Sequence, residues 1–147
     1  MDNLSKLPER LLFLMQDHGN IKSEALGKSI NVSGSSIRCL LSGKTLPSLT
    51  MAVKLADFFE CSLDFLAGKV DIDKKIIPRP LPSFYDNLRK VMKERNISRY
   101  FLTHKTPDIW DSHFSKWANG SVPDFLTVIK LAKHLDVSLD YLVGRTD

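Results

Sequence analysis

Apolar residues recur along most of the chain at the three- and four-residue spacing of amphipathic helices, and the pattern gives no convincing strand. In the first half, five helices are predicted: Leu7 to Asp17, about Ser23 to Ser29, Ser35 to Leu41, a fourth opened by Pro47-Ser48 and a fifth capped by Ser62. A tight turn at residues 30–32 joins the second helix to the third, and the hydroxyl of Ser33 can cap the third. The pattern predicts an all-α fold containing a helix, a turn and a helix.

The second half follows the same plan, with its own five predicted helices: Phe84 to Arg95, Arg99 to about His104, a helix ending at Trp117, Phe125 to Leu135 and Leu139 to Leu142. The start of the third helix in this half stays open, because either Thr106 or Asp108 can cap it. In the first case Pro107 suits the first turn of that helix.

The two halves also repeat in sequence. Residues 46–71 and 122–147, which lie 76 positions apart, share 10 identities over 26 aligned positions, where ordinary composition gives about one or two. An extra residue between Thr103 and Trp110 shifts the offset to 77 for the third helix. Two small domains are therefore expected, not a solenoid.

Three alternating prolines, Pro78, Pro80 and Pro82, lie between the repeats and exclude both a helix and a central strand. The predicted division is residues 1–70 for the first domain, 71–83 for a Pro-rich linker and 84–147 for the second domain. Alternating prolines favour polyproline II, so residues 72–83 can extend over roughly 35 to 40 Å. The linker is predicted to act as a semi-rigid spacer.

Composition indicates a water-soluble protein, with 43% hydrophobic and 26% charged residues and no apolar run of membrane-spanning length. The N-terminal residues do not resemble a signal peptide, so a cytoplasmic location is expected. Only two cysteines are present, with no Cys or His cluster at metal spacing, so we expect no disulfide scaffold, metal or cofactor. No catalytic constellation can be argued, which favours a function other than catalysis.

The basic charge is unevenly distributed. Residues 1–73 carry 8 Lys and Arg against 9 Asp and Glu, whereas residues 74–147 carry 13 against 8. A modest excess of this kind is compatible with phosphate binding, although many basic surfaces are simply solvated. Charge alone leaves the function open.

The residues 24–44 and 47–66, together with 112–120 and 123–144, resemble the lambda-repressor-like helix-turn-helix family, also called the XRE or Cro-repressor type. The most specific part of the resemblance is the run LAKHLDVSLDYLVG and its first-half counterpart, whereas the helix-turn-helix of the second half is more divergent. The resemblance implies two tandem five-helix domains whose third helices enter the major groove of double-stranded DNA.

The outer face of each third helix supplies the candidates for contact with base edges. These candidates are Ser33, Gly34, Ser35, Arg38 and Cys39 in the first domain and Asp111, Ser112, Ser115 and Lys116 in the second. Arg38 and Lys116 can contact phosphate instead, and Asp111 can simply face solvent. Ile37, Leu40, Phe114 and Trp117 are expected to point into the core. Trp110 can either pack on the second helix or lie exposed at the DNA surface.

Phosphate contacts position such a domain without reading sequence. The resemblance places them at Ser23 and Lys44 in the first domain and at Arg99, Tyr100, Asn119 and Ser121 in the second. Lys22 is a further candidate, as a cation close to this surface of the first domain. Because the second domain has more cations around this surface, we expect it to dominate non-specific affinity and to show the steeper salt dependence.

The leading hypothesis is a sequence-specific, repressor-like transcription regulator whose two domains act as a covalent pseudo-dimer on two half-sites about 34 Å apart. Because the two third helices differ, the operator is not expected to be a perfect palindrome. One alternative is a protein-interaction module with one degenerate helix-turn-helix domain, which an exposed apolar patch at Leu41 or Phe58 would favour. Another is an antitoxin-like autoregulator. Formation of a homodimer stays open, and no membrane or small-molecule partner is inferred.

Overall fold

The computed structural model describes residues 4–147, which form ten helices and no strand. The chain divides into two compact units, one ending at Pro78 and the other comprising Arg79–Asp147. None of the helices formed by the described residues is both long and apolar enough to span a bilayer.

The first unit contains α1 (Leu7–Asp17), α2 (Ser23–Ile30), α3 (Gly34–Leu41), α4 (Leu49–Phe59) and α5 (Leu63–Leu66). Serine hydroxyls cap three of them as predicted. Ser33 Oγ accepts the backbone N–H of Ser36 at α3, at 3.1 Å. Ser48 and Ser62 cap α4 and α5 in the same way. Each cap satisfies one backbone donor that the first turn of a helix leaves without a partner.

The core of the first unit lies between α1, α3, α4 and α5, with α2 packed across α3 and α4. Leu11, Leu26, Ile37 and Leu55 are completely removed from solvent. Burial of side chains of this size stabilises a fold by about 1.5–3 kcal/mol each. The apolar face of each short helix thus fixes its orientation, and its polar face is left outward.

The second unit contains α6 (Phe84–Glu94), α7 (Arg99–Lys105), α8 (Asp111–Ala118), α9 (Phe125–Leu135) and α10 (Leu139–Val143). Phe114 and Trp117 of α8 are buried, as predicted, and their rings lie 5.0 Å apart. Phe84 of α6 packs edge-on against Trp117, so the N-terminal helix covers the inner face of α8.

In each unit, a side chain of the first helix donates hydrogen bonds to backbone carbonyls of the last helix. In the first unit, Arg10 Nη1 donates to the carbonyl of Phe65 at 3.0 Å. In the second unit, Asn87 Nδ2 donates to the carbonyls of Tyr141 and Leu142. Each helix of the second unit begins 76 or 77 residues after its counterpart in the first.

One predicted helix start is wrong. Helix α8 begins at Asp111, so neither Thr106 nor Asp108 caps it. Thr106 instead ends α7 and is buried, and Asp108 has a left-handed backbone conformation with φ 68°. The extra residue of the second half therefore lies in the loop before α8 and not in the first turn of that helix. Other predicted boundaries differ from the observed ones by one residue, an ordinary difference for frayed helix ends.

The segment predicted to be a spacer is partly attached to the units. Residues 74–83 form neither helix nor strand. Ile76 is nevertheless buried, and its N–H donates to the carbonyl of Glu60 at 3.1 Å. Arg79 Nε donates to the carbonyl of Gly144 at 2.9 Å. The stretch attached to neither unit is therefore shorter than the prolines alone predict.

Gly144 ends α10 at a position where a side chain has no room. Its φ is +90°, and a Cβ there would lie 2.7 Å from Cδ of Pro82. Gly120 has a similar φ of +100°, but a Cβ there would meet nothing within 4 Å. Both substitutions by alanine carry the backbone cost of about 1–3 kcal/mol. Only Gly144→Ala adds a steric clash.

We expect Gly144→Ala to lower the free energy of unfolding by about 1–3 kcal/mol more than Gly120→Ala, because forcing atoms into a filled site costs that amount. Urea unfolding followed by tryptophan fluorescence measures the difference, since both tryptophans of the chain lie in the second unit. Equal losses for the two variants would show that the contact with Pro82 contributes nothing.

Candidate nucleic-acid interface

The turn between α2 and α3 depends on a close approach of two backbone segments. Val32 N–H donates to the carbonyl of Gly27 at 2.8 Å, and Asn31 adopts the left-handed conformation with φ 61°. A Cβ at Gly27 would lie 2.6 Å from the carbonyl oxygen of Val32. Glycine is required there because any side chain would push α2 and α3 apart.

Helix α3 has a buried inner face and an exposed outer face, as its sequence pattern predicts. Ile37 and Leu40 are buried, whereas Ser35 and Arg38 are exposed and Cys39 is half-buried. Ser33, the cap, is also exposed, and its hydroxyl is shared with Ser36 Oγ at 2.8 Å. The outward face is thus polar, with one long donor.

Glu24 of α2 forms an ion pair with Arg38, the long donor of this face. Arg38 Nη1 lies 2.6 Å from Oε1 of Glu24, and the two side chains are 57% and 74% exposed. A pair with this exposure contributes about 0–1 kcal/mol to stability. The pair therefore matters more for where the guanidinium points than for the strength of the fold.

The prediction that Gly34 faces outward is wrong. Gly34 is buried, and a Cβ there would collide with the carboxylate of Glu24. The side chain of Glu24 crosses this glycine on its way to Arg38. Gly34 therefore gives the carboxylate room and presents no surface of its own.

Helix α8 in the second unit begins without a side-chain cap from its N-cap residue. Trp110 occupies that position and is 64% exposed. His113 compensates from inside the first turn, because its Nδ1 accepts the backbone N–H of Trp110 at 3.0 Å. The reciprocal backbone bond runs from His113 N to the carbonyl of Trp110 at 3.0 Å.

The outer face of α8 carries four exposed polar side chains: Asp111, Ser112, Ser115 and Lys116. Arg99 of α7 binds the first of them twice, with Nε 2.9 Å from Asp111 Oδ1 and Nη2 2.8 Å from the Asp111 carbonyl. The guanidinium also lies over the ring of Phe114 at 5.0 Å. Asp111 is therefore fixed in direction and has its charge offset by a cation.

The predicted phosphate-contact residues lie at the rim of these faces. Lys22, Lys44, Arg99, Tyr100, Asn119 and Ser121 are exposed, and Ser23 is half-buried at the start of α2. The ring of Tyr100 is stacked on His104 at 3.8 Å. Asn119 Nδ2 donates to the carbonyl of Ser115 at 3.0 Å, which fixes its side chain at the end of α8.

Sequence reasoning missed Glu24 and His113, which position other side chains of these faces. Glu24 lies 14 positions before Arg38, a separation that no local pattern reads. His113 has a weak local signal, since a polar side chain three residues after an N-cap can accept its N–H. Histidine is an unusual residue for that role.

Comparison with known proteins gives one family match. Residues 14–66 match the model of a helix-turn-helix family of the XRE type, which covers α2 to α5 and part of α1. The match does not extend into the second unit. No curated protein and no solved structure matches the chain. The family match indicates DNA binding and regulation of transcription for the first unit.

Proposed function

We propose that the protein is a sequence-specific transcription regulator, repressor-like in action, whose two units both bind double-stranded DNA. The observation that carries this proposal is the α2-turn-α3 arrangement inside the matched residues 14–66, with Ile37 and Leu40 buried and Ser35 and Arg38 outward. A short capped helix with small or polar residues on its free face fits the major groove.

We extend the proposal to the second unit because it places equivalent residues in equivalent positions. Its α7 and α8 correspond in order to α2 and α3, and its α8 also buries two apolar residues beneath four exposed polar ones. The similar ties of Arg10 and Asn87 between the first and last helices support descent from one repeated domain. The boundaries proposed for the two domains remain 1–70 and 84–147.

Arg38 and Lys116 are the long cations proposed to reach base edges, one from each unit. Glu24 aims the guanidinium of Arg38 and leaves donors for a guanine. Asp111, held by Arg99, can accept from a cytosine amino group. Because the two faces differ in charge pattern, the half-sites are expected to differ as well.

Binding-site selection from random duplexes with the intact chain tests these roles. We expect Arg38→Ala and Lys116→Ala each to relax preference at one base position, at a cost of roughly 1 to 3 kcal/mol there. Lys133→Ala, which removes an exposed lysine from the last turn of α9, is the control and should leave the selected sequence unchanged.

Two other results would contradict this assignment. A loss of affinity that is uniform across sequences would move the lysine or arginine to the phosphate backbone. Protection of a single half-site in a footprint of the intact chain would contradict the pseudo-dimer.

The residues named for the protein-interaction alternative do not form an open apolar patch. Leu41 and Phe58 are half-buried, and the ring of Phe58 packs against His18 and Phe59 at 4.9 and 5.0 Å. No contact of the described residues favours that alternative over DNA binding.

A further inference from the structure

Trp110 is a large apolar side chain displayed next to the polar face of α8. It directly precedes Asp111, the first residue of the helix, and 64% of its surface is exposed. The other tryptophan of the chain, Trp117, is 4% exposed in the core. Most of the apolar surface of Trp110 is therefore in contact with water.

The N-cap position of α8 also lacks the side-chain cap that α3 has in the first unit. Ser33 precedes α3 as Trp110 precedes α8, and its hydroxyl accepts the N–H of Ser36. A serine, threonine or aspartate at Trp110 can make the same bond, and its absence lowers helix stability. In the second unit, His113 instead restrains the backbone of Trp110 with two hydrogen bonds. Its Nδ1 accepts the N–H of Trp110, and its own N–H donates to the carbonyl of Trp110. The backbone of Trp110 is thus held while the indole stays exposed.

Resting on the DNA-binding function proposed above, we propose that Trp110 is a specificity-determining residue whose indole packs against the C5-methyl group of a thymine in the major groove. The N-terminal residues of a recognition helix are those that contact base edges. The thymine methyl is the apolar group that base edges present in that groove. Lys116, exposed on the same helix α8, supplies positive charge, as a duplex requires.

Replacement of thymine by deoxyuridine tests the contact, because it removes the methyl group alone. In the duplex selected by the intact chain, each thymine of the second half-site is replaced in turn. We expect one replacement to weaken binding about four-fold, the effect of burying one methyl group. The same replacement should have no effect on binding by Trp110→Ala.

Trp110→Ser is the matched variant, because serine can cap α8 as Ser33 caps α3. It should fold at least as stably as Trp110→Ala and yet show the same loss of thymine preference. If either variant keeps the full deoxyuridine effect, the methyl group is read by another residue and the proposal is wrong.

Fluorescence provides a second readout that does not depend on affinity. Acrylamide should quench Trp110 in the free protein and quench it less when the selected duplex is bound, whereas Trp110→Phe isolates the signal of buried Trp117. A bound duplex that leaves quenching unchanged overturns the role of Trp110 alone. Failure of the intact chain to bind any duplex overturns the proposed function together with it.

Discussion

Replacing Phe114 by alanine is expected to unfold the second unit and leave the first unit folded. Phe114 is 2% exposed, packs against Trp117 and lies under the guanidinium of Arg99. Loss of a buried phenylalanine costs about 3–5 kcal/mol. A unit of this size holds only a small margin of stability, so a loss of that size is enough to unfold it.

Two spectroscopic signals separate the units in this experiment. Tryptophan emission reports the second unit alone, since both tryptophans lie there, and far-ultraviolet circular dichroism reports the helices of both. In Phe114→Ala the emission should shift to that of exposed tryptophan, and the helical signal should fall by about half. Phe101→Ala, at a 39% exposed site on α7, is the control and should change neither signal.

The outcome also decides whether the units fold independently. Complete loss of helical signal in Phe114→Ala would show that the first unit depends on the second. Unchanged tryptophan emission would show that the core of α8 tolerates the cavity.

The helices could be predicted from sequence because their signals are local. Serines at 33, 48 and 62 each lie one residue before the first residue of a helix, and each caps the helix that follows. The inward residues of α3 and α8 also follow from helical spacing, since Ile37, Leu40, Phe114 and Trp117 are all buried. Patterns of this kind need no knowledge of the tertiary contacts.

The details of the candidate interface depend on contacts between helices, which local patterns do not contain. Gly34 is on the outward side of α3 by spacing alone, yet it is buried because Glu24 reaches across it from α2. The start of α8 was missed for a similar reason. Its N-cap is a tryptophan, and the bond that replaces the usual hydroxyl comes from His113. Residues that position others are the least visible in a single sequence.

Inserting five base pairs between the two half-sites is expected to weaken binding of the intact chain by about 10²- to 10⁴-fold. When both units bind one duplex, the second binds at the high effective concentration that the linker sets, and that gain is lost when the geometry forbids joint binding. Five base pairs add about 17 Å and turn one half-site to the opposite side of the duplex. The chain between the units cannot follow, because Ile76 and Arg79 are each bonded to a unit.

An insertion of ten base pairs is the matched control for rotation, since it restores the original side of the duplex. It separates the half-sites by about 68 Å, and the short stretch between Ile76 and Arg79, each bonded to a unit, cannot extend to follow. We therefore expect it to weaken binding as much as the five-base-pair insertion does. Gel-shift titrations of the three duplexes measure the affinities. Equal affinity for all three would mean that one unit binds alone, and recovery with ten base pairs would mean that the two half-sites are held by two copies of the chain.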